Sequence, residues 1–303
     1  MQSSTTMTTL NGKVALITGA AQGIGAATAR SLAQRGCSLI LTDVDGDKLS
    51  EVASSIGEER ALAIVADVTD LDAMQEAVAA GIERFGGIDL VLANAGISSY
   101  GSVLQVDPAA FKRVIDINLL GVFYTVRAAL PAVIERRGYV LVVSSMAAFA
   151  AAPGLAAYNA SKAGVEHFAN ALRLEVAFRG VDVGTAHMSW IDTPLVRDAK
   201  QDLASFRTML ATLPKPLAKT TSVERCAAAF ADGMERRRRR VFVPRWVALV
   251  AGLRSVLNSP LGERQVNSRA AEAVPQMDAE VAALGRSTSA RNELPDAAGV
   301  ATD

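Results

Sequence analysis

A chain of 303 residues that is 50% apolar and 20% charged can bury a large core, which excludes a disordered or low-complexity protein. Its 31 basic and 31 acidic residues balance, so no global field draws it to nucleic acid and any basic cluster has to be judged locally. Cys37 and Cys226 lie far apart with no metal-ligand spacing, which excludes a disulfide framework and a thiolate metal site and leads us to expect a reducing, cytoplasmic setting.

In chain order, "MQSSTTMTTLNG" has no basic region followed by an apolar one, so residues 1–10 read as a disordered leader rather than a signal peptide. The run "VALIT" begins a series of short apolar segments expected as strands near 13–18, 38–43, 61–66, 88–93, 138–145, 181–188 and 240–243. Between the first two, Ile24, Ala27, Leu32 and Ala33 recur at helical spacing up to Gly36. Asp70 is the expected N-cap of the helix in "DLDAMQEAVAAGIERFGG", and a long helical region covers about 155–180. Apolar strands alternating with helices predict an α/β fold, a doubly wound parallel sheet of about seven strands buried under helices on both faces. No linker interrupts residues 11–245, which read as one domain. Residues 246–303 read as an extension, helical at first and then partly disordered, because the last forty or so residues lose periodicity. The apolar run "WVALVAGL" is far short of the about 20 residues that span a bilayer.

The stretch "TGAAQGIG" follows the first strand, where a parallel sheet commonly binds phosphate. Gly19 and Gly23 let the backbone turn sharply and approach a diphosphate, Gly25 lets the next helix pack on the sheet, and Gln22 and Ile24 belong to the same turn. The spacing differs from the commoner G-x-G-x-x-G, so context matters. That context is Asp43, which closes the second strand 18 residues beyond Gly25. An acid there accepts hydrogen bonds from both ribose hydroxyls of NAD and repels the 2′-phosphate of NADP; the alternative is that Asp43 merely caps a helix.

With "NAG" at 94–96, "DINLLG" at 116–121 and "YNASK" at 158–162, the chain resembles the short-chain dehydrogenase/reductase family over roughly residues 10–245. The resemblance implies a single-domain Rossmann-type fold, NAD(P)-dependent oxidoreduction and a homodimer or homotetramer built through long helices. It also implies that Asp67 and Val68 flank the adenine and that Asn94, Ala95 and Gly96 steady the sheet and lie along the cofactor.

Tyr158 and Lys162 are four apart at the start of a helical pattern, so both project from one face. A free tyrosine, with a pKa of about 10, is too weak a base at neutral pH, but an adjacent ammonium and a positively charged nicotinamide both favour the phenolate. Tyr158 is then expected to be the general acid in ketone reduction and the base in alcohol oxidation, with Lys162 also binding the nicotinamide ribose. The family resemblance places the substrate-oxygen serine at Ser145, 13 residues before Tyr158, with Ser144 as competitor; only one of the two can face the cleft. It matches Asn118 to an asparagine holding a water next to Lys162, although alone Asn118 reads as a helix-kink or capping residue. It matches Thr193 to a contact with the nicotinamide carboxamide and Ile191 to a backbone contact.

The chain departs from the family where Pro-Gly usually follows the sixth strand, reading "HMSWIDTPLV" with Met188 and Ser189, which is expected to reshape the substrate floor. Leu195, Leu203, Phe206, Met209, Leu210 and Leu213 lie where the family places a substrate lid; they form either an apolar lid or local core. His167 and His187 have no partners at metal spacing and read as structural, so no metal is expected. The arginines at 236–240 suit a helix C-terminus better than a nucleic-acid patch. Trp246, Leu249, Val250, Leu253 and Leu257 suggest an apolar helix that covers a neighbouring subunit or the cleft, with peripheral membrane contact through residues 245–258 as the alternative.

The leading expectation is an NAD-dependent alcohol dehydrogenase or ketone reductase acting on a hydrophobic substrate. An NADP-dependent enzyme is the near rival, although Gln22 and Val44 stand where NADP users of the family often carry a basic residue. A non-catalytic cofactor-binding regulator or scaffold is the alternative of a different class.

Overall fold

The computed structural model describes residues 10–215 and 217–293. Seven parallel strands form one sheet: β1 (Val14–Thr18), β2 (Ser38–Asp43), β3 (Ala61–Val65), β4 (Leu90–Ala93), β5 (Tyr139–Val143), β6 (Asp182–Met188) and β7 (Arg240–Val243). Their order is β3-β2-β1-β4-β5-β6-β7, so the chain winds outward in opposite directions from β1 and β4. The loops leaving the carboxyl ends of those two strands therefore diverge and open a crevice between them.

The helices between strands are α1 (Gly23–Gln34), α2 (Gly46–Ile56), α3 (Leu71–Phe85), α4 (Pro108–Ile115), α5 (Gly121–Glu135), α6 (Ala156–Val176), α7 (Pro194–Asp202), α8 (Ala204–Thr212) and α9 (Val223–Glu235). Strand side chains alternate between two cores. Ala15, Ile17, Leu39 and Leu41 pack with Leu32 of α1, Val52 of α2 and Phe230 of α9. Val14, Leu16, Ile40 and Val91 pack on the other face with Val78 of α3, Val126 and Val133 of α5, and Val165 of α6. Asp70 caps α3 as expected, accepting from the backbone N–H groups of Asp72 and Ala73 at 2.9 and 3.1 Å.

The stretch Pro108–Glu135 is long and apolar enough to cross a membrane by length and composition, with a mean hydropathy of 1.6 in its most apolar window. Its side chains Val122, Val126, Ala129 and Val133 pack against the sheet.

Three terminal expectations need correction. Leu10, assigned to the leader, is buried in the core and accepts a hydrogen bond from the Cys37 thiol; the rest of that leader lies outside the described residues. The apolar run after β7 is not one helix but two short ones, α10 (Val247–Gly252) and α11 (Arg254–Leu257), which meet at Leu253. Trp246, Val247 and Val250 pack on Phe149 and Phe242, whereas Leu249, Leu253 and Val256 face outward. Residues expected to be partly disordered form α12 (Pro260–Leu284), followed by an ordered stretch to residue 293, while residues 294–303 lie outside the described residues. Helix α12 is held by Met277 and Val281, which join Tyr100, Leu203 and Phe206 in a separate apolar cluster.

Candidate active site

The carboxyl ends of the strands border one cavity of about 670 Å³. At its floor is the turn from β1 to α1. Gly19 has a φ of +65°, and a Cβ there would lie 2.9 Å from the Cα of Ala95. A Cβ on Gly25 would collide with the Gly19 carbonyl oxygen and lie 2.9 Å from the Asn94 amide nitrogen. Only glycine allows this turn to close against β4. Asn94 completes the junction by donating its side-chain amide to the carbonyls of Thr18 and Gly19 at 3.0 and 3.1 Å, and the backbone N–H groups of Asn94 and Ala95 donate to the Thr18 hydroxyl.

Asp43 ends β2 at the cavity wall, where its carboxylate accepts from the backbone N–H groups of Ala21 at 3.0 Å and Asp45 at 3.1 Å. It is not a helix cap: Asp45 caps α2 by accepting from the Lys48 N–H. Asp67 accepts from the N–H and hydroxyl of Thr69, both at 2.8 Å, and borders the cavity beside Val68. Gln22, Gly23, Ile24, Gly96, Ile191 and Thr193 border it as well. Glycine turn, Asp43 and apolar flank thus share a cleft whose residues fit a dinucleotide.

Farther along the same cavity stand Ser145, Tyr158 and Lys162. Their approach follows from helix and strand period. Tyr158 and Lys162 occupy one face of α6, and the Lys162 ammonium lies 5.6 Å from the centre of the Tyr158 ring. The two serines after β5 diverge: the Ser144 hydroxyl donates to the Lys162 carbonyl at 2.8 Å behind the site, whereas Ser145 borders the cavity together with Tyr158 and accepts from the Ala147 N–H at 3.2 Å. Lys162 is almost wholly buried and donates to the Val143 carbonyl at 3.0 Å. Burial lowers its pKa from 10.5 to about 8.

The expected downward shift of Tyr158 is corrected. Burial pushes the phenol up from its ordinary value, and the nearby Ser145 hydroxyl only partly opposes this. In the protein alone Tyr158 is therefore a phenol at neutral pH, the protonated form a proton donor requires.

Asn118 sits in a π-helical turn, Asp116–Leu120, that joins α4 to α5. Its side chain clamps Ile97 from both sides, accepting from the N–H at 2.8 Å and donating to the carbonyl at 2.9 Å, and it also donates to the Ser161 hydroxyl at 3.0 Å. Gly96 separates it from Lys162: a Cβ there would lie 3.1 Å from the Asn118 oxygen and 3.4 Å from the Lys162 nitrogen.

The remaining walls are apolar. Met188 and Ser189, at the family departure, border the cavity together with Trp190, whose ring meets Phe206 edge-on at 5.3 Å. Leu195, Leu203 and Phe206 line the cavity, while Met209, Leu210 and Leu213 fill the cluster behind it. His187 is buried between Phe149 and Phe242, and His167 is exposed. Among the described residues no group of His, Cys, Asp and Glu is arranged to hold a metal ion.

Sequence reasoning missed Tyr100, Met277, Arg291 and Asn292, all of which border the cavity. The last three come from the C-terminal extension, whose sparse apolar residues carry little periodic signal.

Comparison with known proteins matches residues 13–204 to the short chain dehydrogenase family model. The chain is 34% identical over 196 residues to an uncharacterized oxidoreductase of Staphylococcus saprophyticus, covering 63% of this chain and 84% of that protein. It is 35% identical over 197 residues to trans-4-hydroxycyclohexanecarboxylate dehydrogenase of Sinomonas cyclohexanicum, covering 62% of this chain and 76% of that one. Among solved structures, the 3-ketoacyl-(acyl-carrier-protein) reductase of Brucella melitensis complexed with NADH superposes with a TM-score of 0.69 at 30% identity, over 77% of this chain and 97% of that one.

Proposed function

The chain belongs to the short-chain dehydrogenase family, and from that premise we propose that it moves hydride between NAD(H) and a hydrophobic secondary alcohol or ketone. The observation that carries this reading is the convergence of Ser145, Tyr158 and Lys162 on the cavity that also holds the glycine turn and Asp43. The relatives' names contain a ring hydroxyl in one case and a ketone in the other, consistent with this class of substrate.

The bound nicotinamide would supply or accept the hydride. Asp43 would hold the adenosine ribose, and Lys162 the nicotinamide ribose. Ser145 would orient the substrate oxygen, and Tyr158 would give that oxygen a proton in reduction or remove it in oxidation. Burial favours the neutral phenol, the form that gives a proton in reduction. Lys162 would oppose that bias whenever it is charged, stabilising phenolate for oxidation. Asn118 would act through position, fixing Ile97 and the carbonyl end of the Gly96 segment next to Lys162. Leu203, Phe206, Trp190 and Met277 would receive an apolar substrate body.

A homodimer or homotetramer also follows from this reading, because Phe123 of α5 and Leu174 of α6, with the adjacent Phe178, expose apolar surface on long helices.

Tyr158→Phe tests the assignment. Turnover of hydrophobic ketones should fall to background while NADH binding, followed by nucleotide fluorescence, stays within about twofold of the parent, since the phenol oxygen alone is removed. Substantial residual turnover would refute the role of Tyr158.

A further inference from the structure

The extension that follows β7 returns across the mouth of the cavity and is fastened there. Ser102 donates its N–H and hydroxyl to Asp278 of α12 at 2.8 and 2.7 Å, and the Ser205 hydroxyl donates to Glu280 at 2.6 Å. Beyond α12, the Tyr100 N–H donates to the Ser287 carbonyl at 2.7 Å, and the Asp107 N–H donates to the Ser287 hydroxyl at 3.0 Å. Ser287, Thr288 and Ser289 are buried although none is apolar, so the segment is set into the fold, held at Ser287 by these hydrogen bonds, rather than laid on its surface.

Two arginines of this segment meet two aspartates of α7 that lie four residues apart on one helix face. Arg286 pairs with Asp202 through two bonds of 2.9 Å. Arg291 pairs with Asp198 at 2.6 and 2.9 Å. Of these four residues only Arg291 borders the cavity. Arg291 also donates to the Gln22 side-chain oxygen at 2.9 Å, and Gln22 is the residue before α1 in the glycine turn.

We propose that Arg291 is a ligand of the cofactor's diphosphate, delivered by the C-terminal segment, so that dinucleotide binding and docking of that segment reinforce each other; this rests on the cofactor reading above. The charge distribution supports it. Four cations border the cavity: Lys48, Arg113, Lys162 and Arg291. Lys48 is paired with Asp45 beyond Asp43, and Lys162 is beside Tyr158. Arg113 donates to the Asn292 carbonyl. Arg291 is the cation placed at the glycine turn, where a diphosphate would meet the first turn of α1. That turn contains no acidic side chain, and Gln22 provides it no side-chain cap. Asp198 engages Nε and Nη2 of Arg291 and so fixes the plane of the guanidinium, and with Nη1 on the Gln22 oxygen the edge it can turn to phosphate oxygens is that formed by the remaining Nη1 and Nη2 hydrogens. The segment is thus a third wall of the cofactor site, with Met277 of the same extension serving as a wall of the substrate site.

The experiment is a fluorescence titration of the full chain with NADH and NADPH across a KCl series, for the parent, Arg291→Ala, Arg291→Lys and Arg286→Ala. A direct diphosphate contact predicts that Arg291→Ala weakens both nucleotides by about tenfold or more and flattens the salt dependence, with Arg291→Lys intermediate. Arg286→Ala, which loosens the segment away from the cavity, should stay within about threefold, the effect of an ion pair outside the contact. An unchanged Kd for Arg291→Ala would overturn the proposal, as would an equal loss in Arg286→Ala, which would assign the effect to docking alone. A loss confined to NADPH would overturn it in favour of a 2′-phosphate contact. A parent protein that binds neither nucleotide would overturn the cofactor reading itself.

Discussion

Replacing Lys162 by methionine should stabilise the protein while abolishing its proposed chemistry. Lys162 is 3% exposed, and burial lowers its pKa from 10.5 to about 8. At about 1.36 kcal/mol per pH unit, that gap is a penalty of about 3 kcal/mol for keeping the ammonium folded. Below pH 8 the side chain is charged in folded and unfolded chains alike, and the full penalty applies. Between pH 8 and 10.5 the unfolded chain keeps a proton that the folded chain has released, so this group's contribution to stability rises with pH. Above 10.5 the penalty is gone. Lys162→Met removes it at every pH but leaves the Val143 carbonyl without its donor, a loss of about 1 kcal/mol. The variant should therefore be about 2 kcal/mol more stable at pH 7 and lose that advantage by pH 10.5. Urea unfolding of parent and variant at matched pH values measures the difference and cancels the other titrating groups. Parallel stability curves from pH 7 to 10.5 would refute the claim that Lys162 is held charged against its burial.

Three further outcomes follow from the geometry. Asp43→Ala should lower the preference for NADH over NADPH by about tenfold, the equivalent of one charge-assisted hydrogen bond and the repulsion it replaces; unchanged Kd ratios would remove Asp43 as the ribose reader. In Gly25→Val the side chain would collide with the Gly19 carbonyl and the Asn94 amide, so unfolding free energy should fall by about 1–3 kcal/mol and NADH binding should be lost. Binding retained at parental affinity would show that the turn does not approach the cofactor. Met277→Ala should destabilise the fold by about 2–3 kcal/mol and raise kcat/KM for bulkier ketones relative to small ones, because Met277 is buried in one apolar cluster with Leu203 and Phe206 and borders the cavity. An unaltered size profile would move Met277 out of the substrate wall.

Much of the scaffold was legible in the chain because its determinants are local. Seven apolar runs became seven strands, and Asp70 became a cap, since period and capping act within a few residues. The glycine turn, Asp43 and the Tyr158–Lys162 pair were likewise readable from spacing, and the fold brings them to one cavity. The choice between Ser144 and Ser145 was not readable from alternation alone. It needed the position of α6, whose Lys162 carbonyl takes the Ser144 hydroxyl. The state of Tyr158 also required the structure, because burial depends on what the surrounding chain covers and outweighs the opposing effect of the Ser145 hydroxyl.

By itself the sequence determined the parallel sheet, the glycine turn and the placing of Tyr158 and Lys162 on one helix face, because each depends on a short repeat or a fixed offset along the chain. Only the tertiary structure decided that the C-terminal extension borders the cleft. Its contacts join Ser102 to Asp278, Arg286 to Asp202 and Arg291 to Gln22, pairs separated by 176, 84 and 269 residues. Such contacts leave no periodic trace in the chain, since their partners are chosen by where the sheet and α7 have already placed them.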